Sequence, residues 1–471
     1  MSNVWVYPGE LPLPQERSAK SSPLPLGAIA GAILIALWFG GNGFAMRLAV
    51  PVVAVAVGLV LYLRQPILYV QYTLWVWFLT PLLRRLVDLH FGWTDPNIIL
   101  LSPLLVSALA GLSLLRQDTN ARPGIPVGFA LCGGAILYGF VVGCLLNPSA
   151  ELLYGLLNWL CPLLFGLHIY RNWPRYEIYR DVIGRCFLRG ALLMGIYGVY
   201  QFFSPPAWDR LWLEGARAAS TGTSFGMPEP LLIRVWSTLN APGPFANVMM
   251  VALLFLFVVR SPLKLPASIA GYTSFLLSVV RTAWLSWIIG LVWILKKSSP
   301  RVILRIFLSG IVLLVCLVPF LSDQRISDVV SDRVKTFTSL RSDESFEDRS
   351  DMYRILINDA IESPFGHGLK NLETSHGMAV DSGILATIFS LGWMGAFFFA
   401  AGVACLLITK TSWPPSDQFP AVGKAITIAL LAQIVGGNIF VSVTGAMFWM
   451  AIGMFLASAK YYSENKEQAS A

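Results

Sequence analysis

Apolar runs recur along the chain from Leu26 to Ala459, each near the ~17–25 residues that a helix needs to cross hydrocarbon. They are apolar on every side and do not alternate with polar positions, which fits helices and excludes the strands of a membrane barrel. The pattern predicts fourteen candidate spans, near residues 26–43, 48–63, 66–83, 97–115, 126–146, 151–170, 184–203, 243–259, 265–280, 282–295, 302–321, 381–409, 421–441 and 446–459. Several are short, and 381–409 is long enough to hold a short leading helix before its span. The predicted fold class is therefore all-α: a polytopic transmembrane helical bundle of about 12–14 spans, with a partly helical extracytoplasmic loop cap.

Two long polar segments interrupt the spans. Residues 204–240 are rich in Trp, Pro and Gly; residues 322–380 carry eleven acidic and seven basic side chains. Segments of that length in a compact protein are functional or disordered. In the second, Met352, Ile355, Leu356 and Ala360 fall at helical spacing and are closed by Pro364, Gly366 and Gly368, so a folded cap is predicted.

Composition sharpens this picture. Of 471 residues, 56% are hydrophobic and only 13% charged, against roughly 25% charged in a soluble domain; a soluble core could not bury so much apolar surface. The net charge of +8 is dispersed between spans, which argues against nucleic acid and for the bias of Lys and Arg toward cytoplasmic loops. With the first residues inside, twenty basic residues fall in cytoplasmic segments, including Arg171, Arg175, Arg180, Arg185 and Arg189, against four in short outer loops: Arg47, Arg84, Arg85 and Arg281. That asymmetry predicts both termini inside and both long segments outside. Residues 1–25 are polar, with no cleavage signal after an apolar core, and read as a cytoplasmic tail. Cys132, Cys144, Cys161, Cys186, Cys316 and Cys405 lie in or at the ends of spans, without metal spacing or a loop pair for a disulfide, and read as packing residues. The division predicted is a tail (1–25), an N-terminal bundle (26–203), a second membrane domain (204–460) containing the loop 322–380, and a tail (461–471).

Three outward constellations carry candidate chemistry. The first is Arg234-Val-Trp-Ser-Thr-Leu-Asn240-Ala-Pro-Gly-Pro-Phe-Ala-Asn247. It sets a cation beside the start of a helix, a combination suited to phosphate; the plainer reading pairs Arg234 with an acidic loop residue. The second is Ser278-Val-Val-Arg281, a charge at a nearly loopless turn between spans. Arg281 either snorkels to headgroups or binds an anion. The third runs from Arg349-Ser-Asp351 through Ser363-Pro-Phe-Gly366-His367-Gly368 to His376 and Asp381-Ser382-Gly383, ending Leu391-Gly392-Trp-Met-Gly395. His376 and Asp381 stand just before a span, where either could be a general base. Asp381 could equally be a helix N-cap, and His376 a solvated loop residue. A metal site from His367, His376 and Asp381 is conceivable, but no spacing requires it. Gly139 and Gly143 form a GxxxG pair of the kind that permits close helix packing.

The order of these motifs resembles the O-antigen ligase and Wzy-type polysaccharide polymerase superfamily. The resemblance runs from about Arg234 to Gly395: an outer arginine with Asn-Pro, Ser-x-x-Arg at a span end, a long outer loop with arginine, a Pro-x-Gly-x-Gly turn and a helix ending Leu-Gly-x-x-Gly. It implies a bacterial inner-membrane, hexosyltransferase-like enzyme, metal-independent and inverting, with no cofactor. The implied donor is a polyprenyl-diphosphate-linked glycan and the acceptor a glycan or lipid, with a chain-length regulator and a flippase of the same pathway as partners. Arg234 and Arg281 would grip the diphosphate, Arg349 would assist, and Asp381 or His376 would activate the acceptor. Ligases of the family have His-Asn where this chain has Asp381-Ser382, which favours an exopolysaccharide or O-antigen polymerase over a lipid A–core ligase. Other classes remain open. A transporter would place ionisable groups near the bilayer midplane, where Arg189 is one of few; a non-catalytic scaffold would tolerate loss of the outer arginines.

Overall fold

The computed structural model describes residues 24–115, 124–219, 222–296, 363–369, 382–409 and 413–470. The first half comprises α1 (Leu24–Phe39), α2 (Gly43–Arg64), α3 (Pro66–Phe91), α4 (Ile98–Leu115, with short 3₁₀ turns), α5 (Val127–Leu146), α6 (Ala150–Arg171) and α7 (Tyr176–Phe203). The second comprises α8 (Ala207–Ala218), α9 (Pro242–Leu256), α10 (Lys264–Leu277), α11 (Arg281–Lys296), α12 (Gly383–Ile408), α13 (Phe419–Leu431) and α14 (Ser442–Ser470). Among the described residues there is no strand, only one isolated bridge between Gly226 and Ile233. Eight of these elements, α2 to α7, α12 and α14, are long and apolar enough to cross a membrane; α9 and α13 are apolar but shorter. The predicted span at 302–321 lies outside the described residues.

Local chemistry sets the helix starts. Asn42 caps α2 by accepting from the Ala45 N–H at 3.0 Å, and Pro66, Pro242 and Pro420 stand in first turns, where a missing N–H costs nothing. The centre of the bundle is α9 with α14: every residue from Val248 to Leu256 is buried, as is each from Ala446 to Ile452. Outward faces of α5 (Leu137, Val141, Leu145) and α12 (Trp393, Phe397) are exposed and apolar, as lipid contact requires.

Contacts group the helix ends. At one end, Arg47 of α2 reaches Asp88 of α3, Arg85 of α3 reaches Asp209 of α8, and the Gly383 N–H donates to Ile434 O at 2.7 Å. At the other, Tyr176 and Tyr462 each donate to the Asp417 carboxylate at 2.8 Å. The described helices alternate between these ends. Residues 204–240, 277–281 and 363–369 share the first end, called the site end below.

The outer-loop placement of Arg47, Arg84 and Arg85 needs correction there, Arg47 lying inside α2. Arg84 and Arg85 are not loop residues, because α3 continues to Phe91 and buries both. Arg84 pairs with Asp88 at 3.2 Å and Arg85 with Asp209; with those partners the helix carries charge inward without leaving it unpaired. Residues 204–240 likewise fold, around α8 and a cluster of Trp212, Phe225 and Trp236.

α12 breaks at Gly392, where φ is 65° and ψ 178°, so the leading segment predicted before the span exists. The segment 363–369 is spliced into that break. The His367 N–H takes Phe389 O at 2.8 Å, the acceptor that Trp393 N–H would use in an unbroken helix, and Trp393 N–H donates instead to Pro364 O at 3.0 Å. Only glycine fits: a Cβ on Gly392 would strike the Pro364 and Phe365 backbone, and one on Gly366 the Leu391–Gly392 peptide. The GxxxG pair does serve packing. Gly139 faces Leu391 of α12, and Gly143 lies against Gly368.

Candidate functional site

At the site end, residues 204–240 are anchored by one buried polar hub. Asp209 accepts from Arg85, from Tyr197 Oη at 2.8 Å and from Gln201 Nε2 at 2.7 Å. Gln201 Oε1 then accepts the Trp236 and Ser237 N–H groups at 3.0 and 2.8 Å, and Arg85 Nη2 donates to Ser237 O at 2.6 Å. Arg85 and Asp209 are both 0% exposed. Burial pushes the Asp209 carboxyl above the ordinary carboxylate range, against the pull of Arg85 and its hydrogen-bond donors. A buried pair holds only when its remaining groups are satisfied, and here Gln201 and Tyr197 do that. Nothing in the sequence reading pointed to this hub. Its sequence signal was slight: apolar helical spacing continues past Arg85 through Leu86, Val87 and Leu89.

The hub delivers the chain to Arg234. The Arg234 N–H donates to Phe225 O at 2.9 Å, and the next N–H, of Val235, to Leu277 O at the end of α10 at 3.1 Å. The half-buried guanidinium reaches the same place. Its Nε donates to Ser278 O at 3.2 Å, Nη2 to Val279 O at 2.9 Å and Nη1 to Ser224 O at 2.9 Å. Among the described residues, the partners of the Arg234 guanidinium are these three carbonyls. Arg281, half-buried, is the first residue of α11, two positions beyond Val279. Two of the three arginines singled out from the sequence, Arg234 and Arg281, therefore meet at one turn.

Among the helices that begin at this end are α9, α11, α12 and α14. Thr282 of α11 faces Gly436 in the turn after α13, Gly383 of α12 packs on Ile434 and Gly437 of that turn, and Asn247 of α9 donates to Thr444 of α14 at 3.3 Å. Helix starts favour negative charge, yet they do so unequally. α9 opens Pro242-Gly243-Pro244, and proline has no N–H, so Gly243 alone can donate from those three positions. The first two residues of α11, Arg281 and Thr282, both keep theirs.

α12 begins at Gly383, and its cap is Ser382, whose hydroxyl accepts from the Leu385 N–H at 3.5 Å. The capping role open to Asp381 thus falls one residue later. Asp381, His376 and Arg349 lie outside the described residues, so the structure brings together Arg234 and Arg281 of the five candidates. Of the conceivable metal ligands only His367 is described; its ring stacks on Phe389 at 4.2 Å. Among the described residues no group of three His, Cys, Asp or Glu side chains could hold a metal ion.

A bundle of apolar helices with a polar, arginine-bearing cap at one end defines a multi-pass helical membrane protein. Residues 266–400, somewhat under a third of the chain, match the family described as O-antigen ligase. The match takes in α10, the turn with Arg281, the segment 363–369 and the kink of α12, and begins after Arg234. It implies a membrane enzyme of surface-glycan biosynthesis that transfers glycan from a lipid-linked donor to an acceptor. No curated protein and no solved structure gives a significant match.

Proposed function

We propose that this chain is a glycosyltransferase that polymerises polyprenyl-diphosphate-linked oligosaccharide on the extracytoplasmic face of the bacterial inner membrane. The observation that carries the reading is the meeting of Arg234 and Arg281 at the turn between α10 and α11. In the reaction an acceptor hydroxyl oxygen bonds to the anomeric carbon. The bond from that carbon to the phosphate oxygen breaks, and the diphosphate leaves with the electron pair. Cations placed where that charge develops are the largest usual source of acceleration. Arg281, with its own N–H and that of Thr282, would face the diphosphate; Arg234 would hold the turn and add charge; Arg349 would join them from the 322–380 segment. Asp381 or His376 would take the hydroxyl proton. The site end is the outer one in this reading, and residues 204–460 are the transferring half.

The test is transfer from a polyprenyl-diphosphate-linked glycan by purified protein carrying Arg281→Ala or Arg234→Ala. Loss of product at unchanged protein level is expected. Polymer lengthening by both variants at the normal rate would remove the arginine pair from the reaction.

A further inference from the structure

We infer that Thr238, Asn240 and Asn247, beside the arginine turn, form a subsite for sugar hydroxyls; this rests on reading Arg234 and Arg281 as the diphosphate grip. Thr238 is 0% exposed, yet its hydroxyl has no hydrogen-bond partner, and neither has the side-chain oxygen of Asn240 or of Asn247. Three such oxygens within ten residues are unusual, because buried polar atoms are nearly always paired.

Their setting orders the short segment that carries them. Gln201 and Arg85 fix both sides of the Ser237 peptide, and a turn closes as the Leu239 N–H donates to Trp236 O at 3.0 Å. Asn240 follows, then α9. Gly243 and Asn247, four residues apart, share a face of α9. Space is open over Gly243, where a Cβ would meet nothing within 4 Å. The Asn247 amide is held from behind through Nδ2 by Thr444, so its oxygen is oriented while remaining unused.

The chemistry of the set selects the ligand. Two carbonyl-type oxygens and a hydroxyl accept hydrogen bonds, while the hydroxyl and the unpaired Trp236 Nε1–H of the same stretch donate, so the set calls for a ligand that brings both donors and acceptors. A phosphate brings acceptors only, and α9 offers it a single N–H from its first three residues. A metal cation is disfavoured: residues 234–247 hold no carboxylate and begin with Arg234. Sugar hydroxyls both donate and accept, which suits Thr238 as well as the amides. The donor then lies with its diphosphate at Arg281 and its first sugar along the start of α9.

The experiment compares two probes on purified full-length protein: undecaprenyl diphosphate, and the lipid-linked oligosaccharide extracted from cells lacking this chain. Thr238→Val keeps the side-chain shape and deletes an unpaired hydroxyl, so its melting temperature is expected to stay level or rise. Its affinity, and that of Asn240→Leu, for the glycan-bearing probe is expected to fall about tenfold, while affinity for undecaprenyl diphosphate stays unchanged. Arg234→Ala should weaken both probes. The subsite is overturned if the variants lose both probes equally, or keep the wild-type preference for glycan; in the second case the diphosphate reading survives. A wild type that binds neither probe removes both.

Discussion

Arg234 Nη2 donates to the carbonyl of Val279 at 2.9 Å, and Val279 sits at φ 53°, a region that β-branched residues rarely enter. Nε of the same guanidinium holds Ser278 O. The fork of one arginine thus clamps a strained turn whose next helix begins with Arg281. Lysine has the charge but not the planar fork. Arg234→Lys should therefore lower transfer by at least about tenfold, as Arg281 loses its placement. Initial rates from a lipid-linked donor check this, and a rate within twofold of wild type would contradict it.

Arg281 itself distinguishes headgroup contact from donor binding. A snorkelling arginine is replaceable by lysine, whereas a bidentate phosphate contact is not. Both Arg281→Lys and Arg281→Ala are expected to abolish polymer at normal membrane levels of protein, scored by gel analysis of surface glycan.

Asp381→Asn now gives a cleaner result than the sequence promised, because Ser382 supplies the cap of α12. Ser382→Ala should cost about 0.5–2 kcal/mol of stability. Asp381→Asn should leave melting unchanged and, if Asp381 is the base, cut turnover by roughly 10²–10⁴. Full turnover in both Asp381→Asn and His376→Ala would clear this region of an acid–base role.

The Arg85–Asp209 hub predicts a non-additive pair. Removing either partner strands the other charge in the interior, at a cost of about 3–5 kcal/mol. Arg85→Met with Asp209→Leu leaves no charge behind, so it should melt above either single variant. Thermal unfolding in detergent measures the order, and a double variant less stable than both singles would refute it.

At the kink, Gly392→Ala should destabilise by more than about 2 kcal/mol, since it combines a left-handed φ with a backbone collision. Gly133→Ala in α5, where a Cβ meets nothing within 4 Å, is the matched control. It should be neutral or gain roughly 0.5–1 kcal/mol.

How far these features could be read from the sequence depended on the range of the interaction. Spans such as α5 and α6 were legible because apolarity on every side is a local property. The end of α3 was not: Arg84-Arg85 looks like a loop until Asp209, 124 residues away, neutralises the second of them. The approach of Arg234 to the 278–281 turn was implied only by the order of motifs, since its partners are carbonyls 44 and 45 residues downstream. Likewise, a one-residue difference between Asp381 and Ser382 is below what a capping preference resolves.

The splice at Gly392 constrains how this protein can be re-engineered or diverge. Each half of α12 spends a backbone hydrogen bond on residues 364–367, so neither half is self-sufficient there in apolar surroundings. A chimera that imports the 363–369 segment from a relative has to import 389–393 with it, as one heritable cassette. Gly366 and Gly392 then drift together or not at all, although 26 positions separate them along the chain.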